Sequence, residues 1–170
     1  IYEISEDLLS YRYRDEDRAP DSVTLSMFFK LVAELYRKGI VDEGLKFKER
    51  GELVDELDID LIVKLTGRGR EACYNLFRKE GTDLYLSQST LDALHRLRVF
   101  VRSVIQYCEI NYGNIDTILF YTLSGCDNLA EDMYTISMIP KKYRKLVRTY
   151  SGDPTLFATQ FFQKQTIKSY

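Results

Sequence analysis

Residues 57–102 read LDIDLIVKLTGRGREACYNLFRKEGTDLYLSQSTLDALHRLRVFVR, and this stretch decides the fold that the sequence predicts. Between residues 59 and 66 apolar side chains recur at helical spacing, and the glycines within residues 67–69 end the run. A second helix is predicted over residues 70–79, with Gly81 as its left-handed stop. Two short helices joined by a glycine turn are typical of a helix-turn-helix.

A much longer amphipathic helix follows over residues 89–111. Ser89 is its predicted N-cap, with Asp92 three residues later as a short form of the capping box. Apolar residues recur at three- and four-residue steps along the helix and are expected to be buried, because full burial of each large aliphatic side chain contributes about 1.5–3 kcal/mol. These residues are Leu91, Leu94, Leu97, Val101, Val104, Ile105 and Cys108. The sequence therefore predicts that this helix runs through the middle of the fold.

The rest of the chain is predicted as further helices. One begins at Asp21 or Ser22 and ends near Lys38, with Gly39 as its stop. ILFYTLSG at residues 118–125 is apolar throughout, so periodicity does not separate a buried helix from a buried strand; its helical neighbours favour a helix.

The predicted fold class is therefore all-α or nearly so: an orthogonal bundle of about eight to ten helices with at most one small β-hairpin. Residues 1–170 are predicted to form a single helical domain, or a fragment of a larger protein, since the chain opens on Ile1. Its sub-regions are acidic helices at 1–50, the helix-turn-helix-like element and long helix at 51–112, and basic helices at 113–170.

The run LTGRGREACYNLFRKEG, residues 65–81, resembles the helix-turn-helix of excisionase and MerR-type DNA-binding proteins. In that family a helix ends in leucine-x-glycine, and after a short turn a second helix carries a tyrosine and closes on glycine. The resemblance covers residues 58–94. It implies that the second helix enters the major groove. The candidate DNA-contacting residues on and beside this helix are Arg68, Arg70, Tyr74, Asn75, Arg78 and Lys79. The alternative is an ordinary helical hairpin.

Charge is distributed unevenly along the chain. Residues 1–63 hold 9 Lys/Arg against 16 Asp/Glu, residues 64–132 hold 8 against 9, and residues 133–170 hold 7 against 1. The last segment contains KKYRKLVRTY at 141–150, predicted as a basic helix after Pro140. Its candidate phosphate-contacting residues are Lys141, Lys142, Arg144, Lys145 and Arg148. Such a basic end either binds a polyanion or docks against the acidic front half of the chain.

Composition restricts the chemistry. Three widely spaced cysteines and a single histidine fit no zinc pattern, and they favour a reducing compartment, the cytoplasm or the nucleus. No run is long and apolar enough to span a membrane, so no membrane partner is expected. No catalytic, cofactor-binding or metal-binding residues are predicted.

The leading hypothesis is a non-enzymatic nucleic-acid-associated protein. The alternative is a protein–protein interaction or scaffold domain of a larger polypeptide or assembly, because 13 tyrosines and 9 phenylalanines supply interface anchors. A second alternative is a metal-dependent nuclease, since LSGCDN is slightly similar to the Gly-x-Asp stretch of flap-type and PIN-like nucleases. That enzyme would use Asp127 with acidic partners such as Asp116.

Overall fold

The computed structural model describes residues 1, 3–5, 7, 8, 11, 12, 20, 22–54, 57–79, 82–122 and 129–151. Over these residues the fold is mixed α/β, with six helices, one of them a 3-10 helix, and three sheets. The prediction of an all-α bundle of eight to ten helices is therefore wrong. In chain order the elements are β1 (Glu3–Ile4), β2 (Tyr11–Arg12), α1 (Leu25–Arg37), α2 (Arg50–Leu53), α3 (Ile59–Lys64), β3 (Leu65–Arg68), β4 (Glu71–Lys79), β5 (Thr82–Ser87), α4 (Gln88–Tyr112), β6 (Ile118–Thr122), α5 (Leu129–Thr135), the 3-10 helix (Lys141–Leu146) and β7 (Val147–Ser151).

The central sheet is antiparallel in the order β3-β4-β5. Arg68 of β3 pairs with Glu71 of β4, so Gly69 and Arg70 form a two-residue hairpin turn. Gly69 has a φ of +64°, a conformation that the tight turns of hairpins require and that glycine adopts without strain. The glycine run predicted to separate two helices therefore closes a β-hairpin.

The predicted helix over residues 70–79 is strand β4, and no helix-turn-helix forms. Two properties of β4 hide its period of two. The register shifts between Asn75 and Phe77, which interrupts the alternation of side chains. Adjacent residues Cys73 and Tyr74 are both fully buried, so both faces of the sheet are covered at this point.

The C-terminal sheet also departs from the helical prediction. Residues 118–122 form β6, which pairs in parallel with β7 from Ile118↔Val147 to Thr122↔Ser151. The predicted basic helix is a 3-10 helix that ends at Leu146 and continues directly into β7. Pairing with a distant strand decides the conformation of these apolar segments, which short-range periodicity does not distinguish.

The hydrophobic core lies between α1, α5 and the central sheet. α1 buries Leu31, Val32 and Leu35, and it packs against α5 and β1. The predicted stop of α1 is confirmed, since Gly39 has a φ of +71°. The segment after α5 adds Ile136, Met138 and Ile139 to the same core.

Candidate functional site

The long helix α4 is anchored firmly at its N-terminus. Ser87, not Ser89, is the N-cap, and its hydroxyl accepts a hydrogen bond from the Thr90 backbone N–H. The Glu71 carboxylate, from β4, accepts the Ser89 backbone N–H. The hydrogen bonds from Ser89 hold the pKa of Glu71 below its usual value. The hairpin and the start of α4 are thereby joined, and the helix leaves the sheet in a fixed direction.

The inner face of α4 contains an arginine in the middle of its apolar stripe. Leu91, Leu94 and Ile105 are buried on this face, and Arg98 lies between them with only 7% of its surface exposed. Burial, followed by the like charge of Arg102, lowers the pKa of Arg98. A cation at such a position needs several hydrogen-bond acceptors to offset its lost hydration.

Backbone carbonyls supply those acceptors. Arg98 Nη1 donates to the Ile136 carbonyl oxygen at 3.1 Å, and Nη2 donates to the Glu43 carbonyl oxygen at 2.8 Å. Nη2 also lies 2.8 Å from His95 Nδ1. Arg98 therefore ties α4 to the loop after α1 and to the segment after α5. A small cleft of about 160 Å³ beside it is lined by Tyr36, Glu43, Arg98, Arg102 and Ser137.

The opposite side of α4 is apolar and faces solvent. Leu97 is 45% exposed, Phe100 65%, Val104 44% and Tyr107 59%. Val99, Ile110 and Tyr112 on the same helix are also exposed. At 3.6 residues per turn, Val99, Ile110 and Tyr112 project from other sides of the helix than the first four residues, so we call Leu97, Phe100, Val104 and Tyr107 the outer face of α4. Isolated exposed apolar residues are ordinary, but a contiguous group of this size marks an interaction surface on most proteins.

The spacing on the outer face is that of a helix-pairing seam. Leu97, Phe100, Val104 and Tyr107 follow each other at three-, four- and three-residue steps, and Asn111 continues the series. A repeat of 3.5 residues keeps one line of side chains facing a second helix along its length. The outer face therefore has the geometry for receiving another helix.

Sequence reasoning missed this surface because it assigned Leu97 and Val104 to the buried stripe. The structure buries Leu91, Leu94 and Ile105 as predicted, leaves Val101 and Cys108 half-buried, and exposes Leu97 and Val104. Phe100, Tyr107 and Ile110 were not singled out. The signal was in the sequence: apolar residues cover more than one face of the helix, and a single core contact accounts for only one of those faces.

The residues predicted to contact DNA lie on a sheet rather than on a helix. Arg68 and Arg78 converge on one carboxylate, that of Asp83, with N···O distances of 2.7 and 3.8 Å. The Arg68 guanidinium also stacks 4.3 Å from the centroid of the Tyr85 ring. Arg70 is exposed in the β3–β4 turn.

Two of the other three residues of that group offer little to a ligand. Tyr74 is fully buried, and burial raises the pKa of its hydroxyl far above the usual range. Asn75 is half-buried and donates from Nδ2 to Thr66 Oγ1 at 3.1 Å. Lys79 ends β4, and its side chain is outside the described part of the molecule.

Most cations of the predicted basic helix have partners within the chain. Lys142 bonds both carboxylate oxygens of Glu109 on α4, at 2.6 and 2.8 Å. This contact lowers the pKa of Glu109 and raises that of Lys142. Arg144 pairs with Glu131 at 2.7 Å. Arg148 donates to the carbonyl oxygens of Lys145 and Val147, while the side chains of Lys141 and Lys145 are exposed.

Other sequence-derived sites remain without support from geometry. Asp127 falls outside the described residues, and Asp116 is exposed in the coil before β6. Among the residues that the structure describes, no group of three or more His, Cys, Asp or Glu side chains could hold a metal ion. No helix in the described ranges is long and apolar enough to cross a membrane.

Comparison with known proteins adds no relative. No protein-family model, no curated protein and no solved structure matches this chain. The roles of the outer face of α4 and of the Arg98 clamp, meaning Arg98 with its hydrogen bonds to Glu43 and Ile136, are therefore inferred from the side chains and contacts of these residues alone.

Proposed function

We propose that the chain is a protein–protein interaction module, and that the outer face of α4 receives an amphipathic helix of a protein partner. The observation that carries the proposal is the exposure of four large apolar side chains along one face of this helix. Burying such a surface against another protein releases ordered water and is the main favourable contribution to association.

The composition of the outer face fits this function. Phe100 and Tyr107 are aromatic, and aromatic side chains are enriched among the residues that dominate interface energetics. The seam positions from Leu97 to Tyr107 carry no charge, so a partner helix meets no unpaired ion there. Lys142, on the C-terminal side, is occupied elsewhere, since it pairs with Glu109.

Site-specific photo-crosslinking tests the proposal. A photoreactive phenylalanine analogue in place of Phe100, in cells that express the protein, is expected to form a discrete adduct that mass spectrometry maps to a helical segment of a protein. The matched control carries the analogue in place of Gln106, which is exposed on another side of α4. Equal adducts at both positions, or none at Phe100, would refute the proposal.

Nucleic-acid association stays a prediction, and it has less support. Phosphate groups would have to compete with Asp83, Glu109 and Glu131 for the cations that these carboxylates already pair. Titration against DNA and RNA at two salt concentrations tests it. Affinity that falls steeply with salt and with charge reversal of the exposed Lys141 and Lys145 would support this prediction over the interaction module.

A further inference from the structure

The same outer face identifies its partner when the sizes of its residues are compared along the helix. We infer that the partner helix is α4 of a second copy of this chain, packed antiparallel about a two-fold axis near Arg102. This inference rests on the proposed function, since it names the helix that occupies the outer face.

The order of large and small side chains is self-complementary in the antiparallel direction. About an axis at residue 102, Leu97 meets Tyr107 of the second copy and Phe100 meets Val104, because each pair of residue numbers has the same midpoint. Both of these layers then combine one aromatic with one smaller aliphatic side chain, which fills the interface evenly. A parallel pair would place Phe100 against Phe100 and Val104 against Val104, with crowded and empty layers in alternation.

The ends of the seam agree with the same arrangement. The antiparallel axis sets Ala93 opposite Asn111, so the one polar seam residue lies at the rim, beside a small side chain and open to water. Antiparallel packing also places each helix terminus beside the opposite terminus of its partner, which is the favourable arrangement of helix dipoles.

The area available is that of a weak, reversible dimer. Exposures between 44% and 65% at the four outer-face residues leave an apolar surface along the seam. This surface corresponds to roughly 450 Å² per copy, against about 800 Å² per partner in a standard specific interface, and smaller interfaces are typical of transient complexes. Within the described chain, the groups that hold α4 in place attach away from the seam: Arg98 faces inward, and Glu109 binds Lys142. A symmetric contact of this kind closes on itself and gives a dimer rather than a filament.

Sedimentation of the purified chain between about 1 and 200 µM tests the association. The wild-type chain is expected to reach the mass of a dimer at the upper end of this range, and Phe100→Glu is expected to raise the dissociation constant at least about 30-fold. Gln106→Glu is the matched control and is expected to change it less than about threefold. Tyr107→Glu is a second variant at the seam, and urea unfolding of each variant checks that the exposed substitution leaves the monomer folded.

Cysteine crosslinking tests the direction of packing, with Cys108 and Cys126 replaced by serine. Ser103→Cys lies beside the axis and is expected to link two copies through a short bismaleimide. Arg96→Cys is the control: its two copies would lie about 18 Å apart along an antiparallel pair and side by side in a parallel one. Efficient linking at both positions would overturn the antiparallel arrangement.

Two other outcomes overturn the inference. A monomeric mass at all concentrations would remove the second copy as partner; if photo-crosslinking at Phe100 still captured another protein, the proposed function would stand without it. A dimer that persists in both Phe100→Glu and Tyr107→Glu would place the contact on another surface.

Discussion

Replacing Arg98 by methionine tests whether the buried cation holds three segments together. Methionine keeps most of the apolar stem but removes the guanidinium, so the carbonyl oxygens of Glu43 and Ile136 lose their donor. An unpaired buried carbonyl costs about 1–3 kcal/mol of stability. Part of this loss is offset because methionine, unlike arginine, carries no charge whose burial costs free energy. We expect Arg98→Met to lower the free energy of unfolding by about 2–4 kcal/mol.

Equilibrium urea unfolding at pH 7 measures this loss, and Arg102→Met is the matched control. Arg102 is exposed one turn further along α4, so its replacement is expected to change the free energy of unfolding by less than about 0.5 kcal/mol. If Arg98→Met were as stable as the wild type or more stable, the desolvation cost would outweigh the hydrogen bonds. The description of Arg98 as a clamp would then be refuted.

Three further predictions concern single positions. Gly69→Ala is expected to destabilise the chain by about 1 kcal/mol in urea unfolding, because alanine is strained at a φ of +64° even though its Cβ would meet no neighbour. Tyr74→Phe is expected to stabilise the chain by about 0.5–1 kcal/mol in the same measurement, since the fully buried Tyr74 hydroxyl has no hydrogen-bond partner among the described residues. Burial raises the pKa of Asp132 above its usual value of 3.8, despite the opposing charge of Arg37. Between these two pKa values the folded chain binds more protons than the unfolded chain, so the free energy of unfolding falls as pH rises through the raised pKa. Asp132→Asn is expected to remove that decrease, measured as the difference in urea midpoint between pH 4 and pH 7.

Each of these predictions has a control and a contradicting result. Gly67→Ala also places its Cβ in open space, in a strand conformation, and an equal loss at Gly67 and Gly69 would show that the turn is unstrained. A loss above about 1 kcal/mol in Tyr74→Phe would mean that the hydroxyl makes a favourable contact. Glu131→Gln, at an exposed neighbour of Asp132, should keep the wild-type pH dependence, and an unchanged pH dependence in Asp132→Asn would show that the pKa of Asp132 is not raised.

The sequence predicted the helices whose capping and periodicity are local. α4 was predicted over residues 89–111 and forms from Gln88 to Tyr112, and α1 ends before Gly39 as expected. In both helices, apolar residues recur at three- and four-residue steps over three or more turns. This spacing excludes the two-residue alternation of a strand. The predicted N-cap of α4 was two residues too late, since both Ser87 and Ser89 precede the stripe.

The strands were missed because their determinants are distant or irregular. A two-residue glycine turn joins helices or strands equally well, and the register shift in β4 removed the alternation that would have indicated a strand. β6 depends on β7, whose residues lie more than twenty positions further along the chain. The outer face of α4 was missed for a different reason: amphipathic periodicity indicates that a helix has apolar faces, but only the fold shows which of them the core covers.

The pairing of β6 with β7 has a consequence for synthesis. β6 leaves the ribosome before α5, the 3-10 helix and β7 have been made, so its ladder stays open while the intervening segment is translated at about 5–20 residues per second. α5, which packs against α1, belongs to the connection that returns the chain to β6. The C-terminal part of the fold therefore forms by a long-range pairing step. A ribosome stalled shortly before Val147 would carry a nascent chain in which the N-terminal half and α4 can fold. The apolar strand β6 would still be unpaired and open to binding by chaperones.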